Sequence, residues 1–111
     1  MTKPSDLPED SNLHGVISSL ASKDGIAKLF AQSGWNVRRC SWVDYELTSS
    51  FAELILEGEE QLLLHGTVSD VFANVESIAS VLRDAGLAFS LECYASDGTL
   101  LAEITEQQNG G

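Results

Sequence analysis

The 111-residue chain has few of the residues that mark specialised protein classes. It contains two cysteines, two prolines and one methionine, which excludes a disulfide-rich scaffold and a proline-rich or collagen-like chain. No apolar run approaches the roughly 20 residues that a helix needs to cross a bilayer. The common catalytic and nucleotide-binding signatures, such as HExxH and the nucleophile elbow, are also missing. These absences favour a small globular domain without catalytic activity.

Basic residues are scarce as well. Six lysines and arginines stand against seventeen aspartates and glutamates, giving a formal net charge of −11 at pH 7. Such a field repels phosphate backbones and anionic lipid headgroups, so we expect no direct binding to nucleic acid or membrane. It would attract a basic protein surface. The N-terminal residues show no secretion signal, which together with the low cysteine content predicts a cytoplasmic location.

The length and composition predict one domain between two polar ends. Both prolines and three acidic residues fall within residues 1–12, which we expect to form a disordered acidic arm. Residues 13–105 carry the apolar patterns of a single α+β domain. Residues 106–111 are polar and end in glycine, as expected for a flexible tail.

Apolar spacing predicts the element order α-β-β-β-α-β-β. Residues 13–30 show helical spacing with a break near Ser22, and residues 71–82 form a second apolar stripe of the same period. Residues 35–48 have the composition of one strand, and the remaining strands alternate between apolar and polar residues. Short connections and two hairpins favour a mainly antiparallel five-stranded sheet with both helical regions packed on one face.

Turn residues predict how the two hairpins pair. In the first, keeping the leucines on one face places Glu53 opposite His65. In the second, Asp97-Gly98 is typical of a tight two-residue turn. That turn places Glu92 opposite Glu103, and Cys93 opposite an alanine on the core face.

Four of these side chains form a candidate metal or acid–base site on the outer face of the sheet. Carboxylates and an imidazole on one rigid surface can hold Zn²⁺ or transfer protons. Two opposed carboxylates also repel each other unless a cation or a proton offsets them. Acids on a strand's solvent face equally serve to keep a sheet soluble, and no cofactor is predicted. The candidate ligands are Glu53, His65, Glu92 and Glu103.

A thiol site is a further candidate. Cys40 follows Arg38 and Arg39, and a nearby guanidinium lowers the pKa of a thiol and makes it more nucleophilic. A catalytic thiol also needs a base within hydrogen-bond reach, and no histidine lies near Cys40 in the sequence. We therefore expect Cys40 and Cys93 to be structural cysteines.

The C-terminal diglycine suggests a different function. Residues 51–104 have the predicted order β-β-α-β-β, and the chain ends in Gly110-Gly111. In these two features the sequence resembles the ubiquitin-like and sulfur-carrier proteins. The resemblance implies that the carboxylate of Gly111 is adenylated and then carries sulfur or is joined to a lysine. The additional N-terminal elements and the polar residues 105–109 depart from the compact family.

Aromatic and basic residues cluster around the first predicted strand. Aromatic side chains are frequent interface anchors, because they bury a large area with few torsions to freeze. The same aromatics can instead fill the core, although tryptophan is seldom wholly enclosed. The candidate partner-binding residues are Trp35, Arg38, Arg39, Trp42 and Tyr45.

The sequence therefore favours a small acidic protein–protein binding module without catalytic activity. Two forms remain open: an inhibitor or immunity-type protein that covers a basic partner, and a homodimeric adaptor. A diglycine carrier and a metal-binding or thiol enzyme are the alternatives from other functional classes.

Overall fold

The computed structural model describes residues 11–18, 22–40, 44–58 and 61–107. These residues form the elements β1 (Leu13–Ile17), α1 (Lys23–Gln32), β2 (Asn36–Arg39), β3 (Tyr45–Thr48), β4 (Ala52–Glu57), β5 (Leu62–Val68), α2 (Val71–Asp84), β6 (Phe89–Tyr94) and β7 (Leu100–Glu106). The strands form one sheet in the order β2-β3-β4-β5-β1-β6-β7, and every neighbouring pair is antiparallel. The α+β class and the antiparallel sheet are confirmed, whereas the predicted five strands and the predicted element order are wrong. Within the described ranges, no helix is long and apolar enough to span a membrane.

The first element is a strand and not the predicted helix. Leu13, Gly15 and Ile17 are buried, whereas His14 is exposed, so burial alternates with the two-residue period of a strand. Gly15 has no side chain, which hides this alternation in the sequence. β1 lies in the interior of the sheet, where it pairs with β5 on one side and β6 on the other.

Residues 35–48 form two short strands rather than the predicted single one. The chain reverses after Cys40, whose N–H donates a hydrogen bond to the carbonyl of Asp44 at 3.0 Å. Val37 of β2 consequently lies opposite Leu47 of β3, and both side chains pack against the core. In the sequence, the apolar residues of this segment suggest a single strand that is buried on both faces. In the structure they belong to two strands, and their side chains pack on the same face of the sheet.

The β4–β5 hairpin is shifted by two residues from the predicted register. Glu53 lies opposite Thr67, not opposite His65. A shift of two residues keeps every leucine on the same face, because side chains alternate with a period of two, so the apolar pattern cannot distinguish the two registers. The turn distinguishes them, since Gly58 adopts a φ of 102° and begins a longer loop than predicted.

The β6–β7 hairpin has the predicted pairing. Glu92 lies opposite Glu103, and Cys93 lies opposite Ala102. The loop spans residues 96–98 and is one residue longer than predicted. The N–H of Ala95, just before the loop, donates a hydrogen bond to the carbonyl of Thr99, just after it. A β-bulge next to Cys93 absorbs the extra residue and restores the register.

The hydrogen bonds of the sheet begin at Asn12. Its side-chain amide donates to the carbonyl of Val68 at 2.9 Å and accepts from the N–H of Val68 at 2.8 Å. Its own carbonyl accepts from the N–H of Tyr94. Of the predicted arm at residues 1–12, only the last two residues are described, and of the predicted tail at residues 106–111, only the first two.

Both helices pack on the same face of the sheet. α1 begins after Ser22, whose hydroxyl oxygen accepts a hydrogen bond from the N–H of Gly25 at 3.0 Å. Apolar residues of both helices meet the inward side chains of the strands in one core. The largest completely buried side chains in this core are Phe30, Phe89, Leu13, Ile17, Ile26, Leu47, Leu54, Leu56, Leu64, Ile78, Leu82 and Leu91. The opposite face of the sheet is not covered by any element of the described residues.

Candidate functional site

The uncovered surface of the sheet, here called the open face, is formed by the alternate strand residues that point away from the helices. Antiparallel pairing aligns these residues in rows that cross the strands. One row spans all seven strands from β2 to β7 and consists of Arg38, Glu46, Ile55, His65, His14, Glu92 and Glu103. The adjacent row runs from β4 to β7 and consists of Glu57, Leu63, Val16, Ser90 and Thr105.

A hollow of about 330 Å³ lies in the central part of the open face. Leu63 is 37% exposed and Val16 is half-buried, so the hollow contains apolar surface that water can reach. Both histidines of the chain border it, together with one carboxylate. The lining residues are His14, Gly15, Val16, Leu63, His65, Ser90 and Glu92.

Neighbouring side chains position the carboxylate of Glu92. The hydroxyl of Tyr94 donates a hydrogen bond to Glu92 Oε1 at 2.9 Å. This hydrogen bond, followed by burial and by the negative charges of Glu92 and Glu103, raises the pKa of Tyr94, so its hydroxyl stays protonated as a donor. The ring of His14 meets the ring of Tyr94 edge-on, with the centroids 5.7 Å apart. Glu92 and its neighbours thus form an ordered edge of the hollow.

The other edge of the hollow contains a contact between a histidine and a carboxylate. His65 Nε2 lies 3.0 Å from Glu57 Oε1, across the β4–β5 pair. Both side chains are partly exposed, so solvent reaches this contact as well as the hollow. The hollow therefore has Glu92, in contact with Tyr94, at one edge and His65, in contact with Glu57, at the other.

Charge is distributed unevenly between the two sides of the described domain. The open face carries five carboxylates and one arginine, and that arginine, Arg38, is already paired with Glu46 at 2.8 Å. The helical side carries four cations and six carboxylates, so its net charge, 4 − 6 = −2, is smaller in magnitude than the 1 − 5 = −4 of the open face. Its cations are Lys23, Lys28, Arg39 and Arg83, and its carboxylates are Asp24, Asp44, Asp70, Glu76, Asp84 and Glu106. The open face is thus the more negative of the two sides.

The predicted metal ligands share the open face, with contacts that differ from those predicted. Glu92 and Glu103 oppose each other as predicted, whereas His65 contacts Glu57 and is only a diagonal neighbour of Glu53. Among the residues that the structure describes, no group of three or more histidine, cysteine, aspartate or glutamate side chains could hold a metal ion.

Trp35, a predicted partner-binding residue, belongs to the core. It is 8% exposed and packs edge-on against Phe30 and Phe51, with ring centroids 5.1 and 5.4 Å away. Little of its surface is left for a partner. Trp42 lies outside the described residues.

The other predicted partner-binding residues lie on opposite sides of the sheet. Arg38 belongs to the open face, where it pairs with a glutamate. Arg39 and Tyr45 lie on the helical side, with the guanidinium carbon 5.7 Å from the tyrosine ring centroid. The hydroxyl of Tyr45 donates a hydrogen bond to Asp24 of α1. The predicted carrier terminus, Gly110-Gly111, lies outside the described residues.

Five of the seven residues that line the hollow were not predicted from the sequence, and three of these five provide one of its rings and its apolar surface. Val16 and His14 fall in the segment predicted as a helix, so they could not be placed on a sheet. Leu63 stands between two core leucines, and its position in the alternation assigns it to the solvent side. A leucine at a solvent position of an otherwise alternating strand is the signal that could have identified this surface.

The two cysteines are expected to differ in reactivity. Cys40 is exposed, whereas Cys93 is completely buried, and burial raises the pKa of the Cys93 thiol. Ellman's reagent should therefore titrate one thiol in the folded protein and two in denaturant. Cys40→Ser should leave no thiol that reacts rapidly in the folded state. Rapid reaction of Cys93 without denaturant would contradict its buried position.

Comparisons of the chain with protein-family models, with curated proteins and with solved structures give no match. The residues of the open face are therefore the basis for a functional proposal.

Proposed function

We propose that this protein is a binding module whose open face contacts a basic protein partner. The observation that supports the proposal is the composition of that face: apolar side chains at its centre, surrounded by five carboxylates and not covered by any described element. An apolar centre within a polar rim is the usual organisation of a protein–protein interface. The proposal includes no catalytic step.

The apolar centre is continuous across three neighbouring strands. Leu63 lies directly opposite Val16, and Ile55 lies on the adjacent strand, diagonal to Leu63. All three are at least partly exposed to solvent. Removing apolar surface from water favours association, and the part of this gain that exceeds the entropic cost of binding contributes to affinity. These side chains are therefore the expected anchors of the interface.

The rim determines which kind of partner is favoured. Five carboxylates against one already paired arginine attract a basic surface and accelerate its association at low ionic strength. Two copies of the open face would repel each other for the same reason. The charge distribution thus favours the inhibitor or immunity-type form over a homodimer formed through this face.

Two matched variants test the proposal. Leu63→Lys places a cation in the centre of the open face, and Phe72→Lys makes the same change at α2, where the phenylalanine is 65% exposed. Circular dichroism first checks that each purified variant is folded. Each variant is then used to capture proteins from the host, and the basic protein that is captured is purified. We expect Leu63→Lys to weaken its binding by about tenfold or more, and Phe72→Lys to leave the affinity unchanged.

The salt dependence provides the second measurement. Association of the purified pair should slow steeply as salt rises, since charges further apart than about 8 Å are screened at physiological ionic strength. A retained protein that is not basic would overturn the proposal. So would equal binding by the two lysine variants, an association rate that is independent of salt, or the failure to retain any basic protein.

A further inference from the structure

We infer that the hollow on the open face receives an arginine side chain of the partner. The inference rests on the proposed function and specifies which residue of a basic surface enters the hollow. The features that suggest arginine are a carboxylate at the edge, apolar walls and two flat rings within one cavity of about 330 Å³.

Glu92 is the carboxylate that would meet the guanidinium. Its Oε1 accepts one hydrogen bond from Tyr94, and a carboxylate has about four acceptor sites, so further donors can still bind. The fork of a guanidinium matches a carboxylate in a bidentate pair. Glu103, directly opposite Glu92, adds a second negative charge. A bound cation would relieve the repulsion between these two glutamates.

The walls of the hollow suit the remainder of an arginine side chain. Its aliphatic stem would lie along Val16 and Leu63, which provide apolar surface beside the charged group. His14 and His65 lie opposite each other on β1 and β5, so two planar rings border the space. A guanidinium stacks on planar rings, whereas the compact and strongly hydrated ammonium of lysine does not. The combination favours arginine over lysine.

The test uses the full chain labelled with ¹⁵N and a small probe, N-acetyl-arginine-N-methylamide. We expect saturable shifts of the backbone amide signals of Gly15, Leu63 and Ser90, which line the hollow. The lysine analogue and the uncharged citrulline analogue, at the same concentrations, should produce much smaller shifts. Citrulline has nearly the shape of arginine without its charge, so it separates charge recognition from shape.

A pair of glutamate variants supplies the control. Glu92→Gln should weaken the arginine probe by about tenfold or more, because a bidentate charged pair is lost. Glu53→Gln removes the same charge from the same face outside the hollow lining, and it should change the affinity by less than about twofold. Equal binding of the arginine and citrulline probes, or equal losses in the two variants, would overturn the inference.

The arginine-probe experiment and the partner experiment can fail independently of each other. A basic protein that binds the open face, combined with no preference for the arginine probe, removes this inference and leaves the function standing. Saturable arginine binding that is lost in Glu92→Gln, combined with no basic protein partner, supports the hollow as an arginine site and removes the proposed function.

Discussion

Replacing Gly66 with alanine is expected to destabilise the domain by about 3 kcal/mol, a large part of the roughly 5–15 kcal/mol that keeps a typical domain folded. Gly66 lies in β5, between Leu54 of β4 and Leu13 of β1. A Cβ at this position would collide with the carbonyl oxygen of Glu53 and lie 2.8 Å from the Cα of Leu54. These are backbone atoms of a paired strand, so they cannot move aside without breaking the ladder.

Thermal denaturation of Gly66→Ala beside Gly86→Ala measures this effect. Gly86 follows α2 with a φ of 75°, and an added Cβ there would meet no atom within 4 Å. Its substitution costs only the strain of a left-handed residue, about 1–2 kcal/mol. We expect Gly66→Ala to be insoluble or to melt well below Gly86→Ala. Similar melting temperatures for the two variants would show that β4 can move away from β5.

Replacing Trp35 with alanine is expected to lower the free energy of unfolding by about 3–5 kcal/mol. The indole is 8% exposed and lies between the rings of Phe30 and Phe51, at the point where α1 meets the sheet. Removing it leaves a cavity and ends two edge-on aromatic contacts, each worth about 0.5–1.5 kcal/mol beyond the buried area. The loss therefore appears as stability rather than as binding.

Urea denaturation of Trp35→Ala and Trp35→Phe separates a core residue from an interface residue. The phenylalanine variant should keep most of the stability and the full affinity for a basic partner. If Trp35→Ala instead keeps its stability and loses its partner, the indole is an interface anchor and its place in the core is wrong. The loss of affinity in Leu63→Lys is the reference for a change at the open face, and the affinities of the Trp35 variants are compared with it.

The sequence predicts those parts of the fold where burial and turn chemistry agree. α2 is one example, since its apolar stripe has a clear helical period and its predicted end at Gly86 coincides with a positive φ. β1 is the opposite case. Leu13 and Ile17 are four residues apart, which fits a helix, and they also lie on one face of a strand. Gly15 between them has no side chain to separate the two possibilities, and only pairing with β5 and β6 does so.

The candidate site was predictable in part for the same reason. The opposition of Glu92 and Glu103 is confirmed, although the loop is one residue longer than the turn from which it was predicted and a β-bulge restores the register. The approach of His14 to His65 is a contact between β1 and β5, which are distant in sequence. A turn signal cannot reveal such a contact, because it depends on where a distant strand is inserted into the sheet. Knowledge of the strand order therefore decides whether the hollow can be recognised at all.

The interior position of β1 has a consequence for how the chain folds. β1 precedes every other described strand in the sequence, yet Leu13 pairs with Cys93 of β6, 80 residues further along the chain. The sheet cannot be completed until β6 and β7 have been synthesised, and β1 must then be inserted between the β4–β5 and β6–β7 hairpins. Native contacts of such long range slow folding, and two-state domains dominated by them fold in about milliseconds to seconds. A stopped-flow refolding experiment should accordingly find closure of the sheet around β1 to be the slow step.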